Sequence, residues 1–116
     1  MRLPLTELQL AQVARLIEPL VNQPMPAAAR AKLRHGYRVD GLAVILFESR
    51  PRFDRPKEWR DEEVAKFRYV VRQRVWRLYC QFRDLKWHLY EPYPESPALE
   101  DLIEQVKRDP TCIFWG

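Results

Sequence analysis

An α+β fold is predicted by three features of the sequence: helical spacing confined to the two ends, a turn signal opening a run of strands, and three alternating apolar and basic segments in the middle. The predicted architecture is two N-terminal helices, an antiparallel meander sheet of about five strands and one C-terminal helix, all within a single domain spanning 1–116.

The first helix is read from Thr6 and Gln9, which have the form of a capping box, and from Leu10, Val13, Ile17 and Leu20 at helical spacing, giving a helix over about residues 7–21. Met25 and Pro26 open a second, short, basic helical stretch that Gly36 is placed to end. From Tyr37 the pattern becomes extended. YRV, the pair Asp40–Gly41 and LAVILFE read as a hairpin with a type I′ turn, and the second strand is apolar on both faces, so helices should cover at least one of them.

Residues 49–62 carry two prolines and no sustained period, and read as a long loop. Three runs follow, VAKFRYVVR, VWRLYCQFR and KWHLYEP, separated by polar joints around Gln73–Arg74 and Arg83–Asp84; they read as a three-stranded meander. Ser96 and Pro97 then cap an amphipathic helix through Leu99, Leu102, Ile103 and Val106, ended by Asp109 and Pro110, and the tail CIFWG is apolar enough to pack back.

Composition bounds the function classes. Twenty Lys and Arg against sixteen Asp and Glu give a net charge of +4, a mild bias that permits a polyanionic partner without requiring one. The longest apolar run, Gly41 to Phe47, is too short to cross a bilayer as a helix, and the first residues hold no secretory apolar stretch. A cytoplasmic protein without membrane contact is therefore expected. Cys80 and Cys112 share no paired spacing, and His35 and His88 have no ligand-spaced neighbours, so free thiols and no metal or other cofactor are expected.

Sorting the meander by strand alternation yields one constellation with chemical content. One face collects Phe67, Tyr69, Val71, Trp76, Leu78, Cys80, Phe82, Trp87 and Leu89, and reads as core. The other collects Lys66, Arg68, Arg72, Arg77, Tyr79, Gln81, Arg83, Lys86, His88 and Tyr90, with no acid. Cations that follow phosphates beside rings that stack on bases suit single-stranded nucleic acid. The alternatives are a solvated sheet face neutralised by loop acids such as Asp61, Glu62 and Glu63, and an interface for another protein or a homodimer, where Tyr and Arg are enriched.

An enzyme ranks third. Asp84 and Lys86 form the D-x-K pairing of some metal-dependent nucleases, but turn formation accounts for Asp84. Glu48 precedes Arg50 and Arg52, so an ion pair explains it before a perturbed carboxylate in a pocket does.

The segments HGYRVDG, LFESRPRF, AKFRYV and CIFWG, and above all the W-R-L-Y and D-L-K-W-H-x-Y pattern from Trp76 to Tyr90, resemble an uncharacterised bacterial family, the domain of unknown function numbered three thousand and twenty-four. The resemblance covers roughly residues 33–116. It implies a small standalone bacterial protein and carries no activity, ligand or catalytic residue onto positions here.

Overall fold

The computed structural model describes residues 4–23 and 25–115. The chain runs α1 (Glu7–Val21), α2 (Ala27–Arg30), β1 (Arg34–Asp40), β2 (Ala43–Pro51), β3 (Trp59–Val70), β4 (Val75–Gln81), β5 (Trp87–Leu89), β6 (Glu95–Ser96) and α3 (Leu99–Arg108). The strands form one antiparallel sheet in the meander order β1-β2-β3-β4-β5, with β6 joined to β4 beside β5.

α1 begins where the sequence places it: the Thr6 hydroxyl accepts from the Gln9 N–H and the Gln9 side chain accepts from the Thr6 N–H. Its buried stripe, Val13, Ile17 and Leu20, packs on the same side of the sheet as Leu99, Leu102, Ile103 and Val106 of α3. Between them they cover Val44 and Leu46 of β2, Ala65 and Phe67 of β3, and Trp76, Leu78 and Cys80 of β4. α3 stops at Asp109, whose left-handed φ of 45° ends the helix while its carboxylate accepts the N–H groups of Phe114 and Trp115. The tail is thereby folded back, with Phe114 buried and the Trp115 indole donating to the Val106 carbonyl at 2.8 Å. The final Gly116 lies outside the described residues.

Several boundaries differ from the sequence reading. α2 ends at Arg30 and not at Gly36, because Gly36 is paired with Phe47 inside β1. The hairpin turn is Gly41–Leu42 rather than Asp40–Gly41: Asp40 pairs with Ala43, and only Gly41 has positive φ, which fits a type II′ turn. The 49–62 loop shrinks to residues 52–58, since β2 continues to Pro51 and β3 starts at Trp59. Ser96 is not the N-cap of α3, which is Ala98; Ser96 accepts the Ala98 N–H and donates to Asp101.

A β-bulge in β3 opposite Leu46 and Phe47 makes Val64 an extra residue, so that Val64 and Ala65 are both buried and Glu63 returns to the face of Phe47. β5 presents the face opposite to the one its sequence suggests. Trp87 pairs with Gln81 and Leu89 with Tyr79, while His88 pairs with Cys80. Directly paired residues share a face, so Trp87 and Leu89 lie opposite the core, and His88 and Tyr90 lie on the core side. Tyr90 is 3% exposed, tilted against Phe114, with its hydroxyl 3.2 Å from that of Thr111.

This inversion separates Trp76 of β4 and Trp87 of β5 energetically. Trp76→Ala is expected to cost about 3–5 kcal/mol in chemical denaturation, as for a fully buried indole. Trp87→Ala, on the uncovered face, is expected to cost about 1 kcal/mol. Equal losses would contradict the β5 register.

Candidate functional site

The sheet face turned away from both α1 and α3 is covered by no other element among the described residues. Its floor is nonetheless apolar: Ala43 and Ile45 are 7% and 6% exposed although they lie outside the core cluster. They are shielded by their own neighbours on the face, Arg38 of β1 and Lys66 and Arg68 of β3, which stand at paired positions beside them. Phe47 lies over Gly36, where a Cβ would come within 2.7 Å of the ring, so glycine lets the phenyl ring lie flat on the strand.

Lys66 occupies the middle of this face. Its ammonium stands 5.7 Å from the centre of the Tyr79 ring and 5.9 Å from that of Trp87, the outer limit for cation–π attraction. Arg68 is next along β3 on the same face, half-buried. Neither forms an ion pair among the described residues. Arg77, opposite Arg68, is engaged: Glu95 of β6 lies 3.6 Å from its Nε, and its Nη2 donates to Gln73 at 3.1 Å.

The face carries two acids that strand alternation alone leaves off it, one of them Glu63, which the neutralised-face alternative names. Glu63, brought here by the bulge, pairs with Arg38 at 2.6 Å and accepts from Gln81 at 3.3 Å. Glu95 arrives through β6, which the sequence reading missed because a two-residue strand has no period to detect. The loop acids, by contrast, do not reach the central cations. Asp54 pairs with Arg52, Glu58 with Arg52 and Arg55, and Asp61 accepts the Ser49 hydroxyl. At the far end Arg34 stacks on Trp59, with its guanidinium carbon 3.9 Å from the ring centre.

The sequence-predicted site residues thus divide into three groups. Lys66, Arg68, Arg77 and Tyr79 share the open face, and Trp87 and Leu89, assigned to the core by the sequence reading, join them. Arg72 lies in the β3–β4 turn and Arg83 and Lys86 in the β4–β5 turn, all exposed at opposite ends of the sheet. His88 and Tyr90 do not belong to the open face. His88 stacks on Phe82 at 4.2 Å and contacts the Asp84 carboxylate at 2.8 Å, and Tyr90 is core.

Asp84 accepts the Lys86 N–H at 3.0 Å, closing the turn. Glu48 lies 3.5 Å from Arg50. Cys80 is buried, which raises its thiol pKa above the ordinary value, and Cys112 is exposed; both are free. Among the described residues no group of three or more His, Cys, Asp or Glu is placed to hold a metal ion, and no helix is long and apolar enough to cross a membrane. A groove of about 820 Å³ lies between the end of α1, α2 and β1, lined in part by Val21, Met25, Arg30 and His35, and a hollow of about 310 Å³ adjoins it at His35, Lys107 and Trp115. Neither is lined by Glu48 or His88.

The Asp84 carboxyl is held below the usual carboxylate range, first by the Lys86 N–H and then by His88. A depressed folded-state pKa contributes stability that is present above the unfolded value and lost as pH falls through the folded one. Side-chain carboxyl NMR is therefore expected to give an Asp84 midpoint below the ordinary carboxylate value, rising toward it in His88→Ala. A midpoint unchanged by His88→Ala would show that the Asp84–His88 contact does not hold the carboxyl down.

No curated protein and no solved structure matches this chain. One family model does, over residues 5–116, and so takes in α1 as well as the sheet and tail. That coverage makes the protein a member of the family described as domain of unknown function (DUF3024).

Proposed function

We propose that the open face of the sheet binds single-stranded nucleic acid. The observation that supports this reading is the placement of Lys66 between the Tyr79 and Trp87 rings, with Arg68 beside it and no carboxylate paired to either cation among the described residues. A lysine at the outer limit of attraction to two rings is held loosely, and can turn to a phosphate while the rings receive bases. An uncovered sheet carrying half-buried aromatics suits splayed single strands better than a duplex, whose bases are already stacked. Arg72, Arg83 and Lys86 at the two ends would extend the cationic path along the backbone of a bound strand.

A second reading, a protein partner on the same face, is favoured by one observation: Glu63 and Glu95 offset Arg38 and Arg77, leaving a mixed-charge surface over the apolar residues Ile45, Phe47 and Leu89.

Fluorescence anisotropy with labelled single-stranded and duplex DNA and RNA at several salt concentrations separates them. The nucleic-acid reading predicts preference for single strands and affinity that falls with salt. It also predicts about tenfold weaker binding for Trp87→Ala, and a salt slope reduced by about 1.4 for Lys66→Ala/Arg68→Ala, from two lost phosphate contacts. No binding at low salt by folded protein would sink this reading and leave the protein partner.

A further inference from the structure

β1 is an edge strand, hydrogen-bonded only to β2, and its seven residues alternate in where their backbone groups point. Tyr69 N–H donates to the Leu42 carbonyl, so Ala43 and Arg68 are a non-hydrogen-bonded pair and the backbone groups of Ala43 point to β1, where they meet Asp40. By alternation Arg34, Gly36, Arg38 and Asp40 bond to β2, while the N–H and C=O groups of His35, Tyr37 and Val39 point to the free edge. None of those three residues has a backbone hydrogen-bond partner beyond the sheet among the described residues.

Such an edge invites pairing, and proteins commonly block it with charge. Here the charges are self-complementary in one register. If two copies of β1 run antiparallel with Tyr37 facing Tyr37 of the second copy, then His35 faces Val39, and every free N–H and C=O along the edge finds a partner. Arg34 then stands opposite Asp40 of the second copy, and Asp40 opposite its Arg34, on the same face of the sheet. Sliding the register by two residues in either direction, the smallest slip that keeps the free backbone groups paired, sets Arg34 against Arg38 or Arg38 against Arg38, and both place like charges together. In the Tyr37-centred register Val39, an exposed apolar side chain at 41%, faces His35 of the second copy, whereas in the Arg34–Arg38 register it lies beyond the paired residues.

We propose that the protein forms a homodimer by antiparallel pairing of β1 with β1 of a second copy, centred on Tyr37 and keyed by Arg34 and Asp40. The two-fold axis stands perpendicular to the sheet, so the β5-to-β1 order runs on into β1-to-β5 of the second copy as one continuous sheet. Both uncovered faces then lie on the same side. The proposal does not depend on what that face binds.

Analytical ultracentrifugation across a dilution series tests it. Wild type is expected to approach twice the 14.0 kDa of one chain at the concentrated end. Arg34→Asp alone and Asp40→Arg alone are each expected to sediment as single chains, because each creates two like-charge pairs. An equimolar mixture of these two variants is expected to regain the doubled mass, since every Asp of one then faces an Arg of the other. Val39→Pro removes a free-edge N–H without touching the bonds to β2, and is expected to be a single chain with the wild-type circular dichroism spectrum. A wild type of single-chain mass at every concentration would overturn the proposal, as would a dimeric Val39→Pro or a mixture that stays at single-chain mass.

Discussion

The one-sided packing of helices on the sheet governs the rest of the structure. α1 and α3 lie on the same face, and their buried stripes meet a layer made from alternate residues of β2, β3 and β4. Because the period of a strand is two, each core residue of those strands commits its neighbours to the opposite face. Phe67 and Ala65 inward put Lys66 and Arg68 outward; Leu78 and Cys80 inward put Arg77 and Tyr79 outward. The candidate site is in this sense the reverse side of the core, and its cations and rings cannot be moved without moving a buried partner.

That face has no second layer, so it manages its own apolar surface. Ile45 and Ala43 are shielded by the stems of lysine and arginine side chains and by Phe47 lying over Gly36. The bulge at Val64 has a matching effect on charge, since it turns Glu63 toward Arg38 and Gln81 and neutralises one end of the face. β6 does the same at Arg77 through Glu95. Between these two neutralised regions Lys66 and Arg68 stand without an ion pair among the described residues, near Tyr79 and Trp87.

Much of this was legible in the sequence, for identifiable reasons. The capping box at Thr6, the glycine in the hairpin turn, the alternation of β3 and β4 and the amphipathic stripe of α3 are local signals, and the elements follow them. What was not legible depends on pairing across the sheet. The face of β5 is set by its register with β4 after an irregular turn in which Leu85 has φ of 60°, and three residues are too few to show a period. Trp87 and Leu89 therefore read as core and Tyr90 as surface, the reverse of their positions. The bulge and β6, which bring Glu63 and Glu95 to the face, are likewise products of tertiary pairing, and alternation along β3 and β4 places neither acid there. Continuation of β2 and β3 past the apolar run, through charged residues such as Arg50, Arg60 and Asp61, is held by their mutual ladder rather than by hydrophobicity, so the loop between them appeared longer than it is.

Binding on the open face is tested by an amide and indole NMR titration with a short single-stranded oligonucleotide, with the four tryptophan indoles as reporters. The Trp87 indole and the amides around Lys66, Arg68 and Tyr79 are expected to shift in a saturable way, while the indoles of Trp76 in the core and Trp115 under α3 stay in place. Shifts confined to Trp115 and the His35 groove, or none at all from folded protein, would contradict binding on the open face.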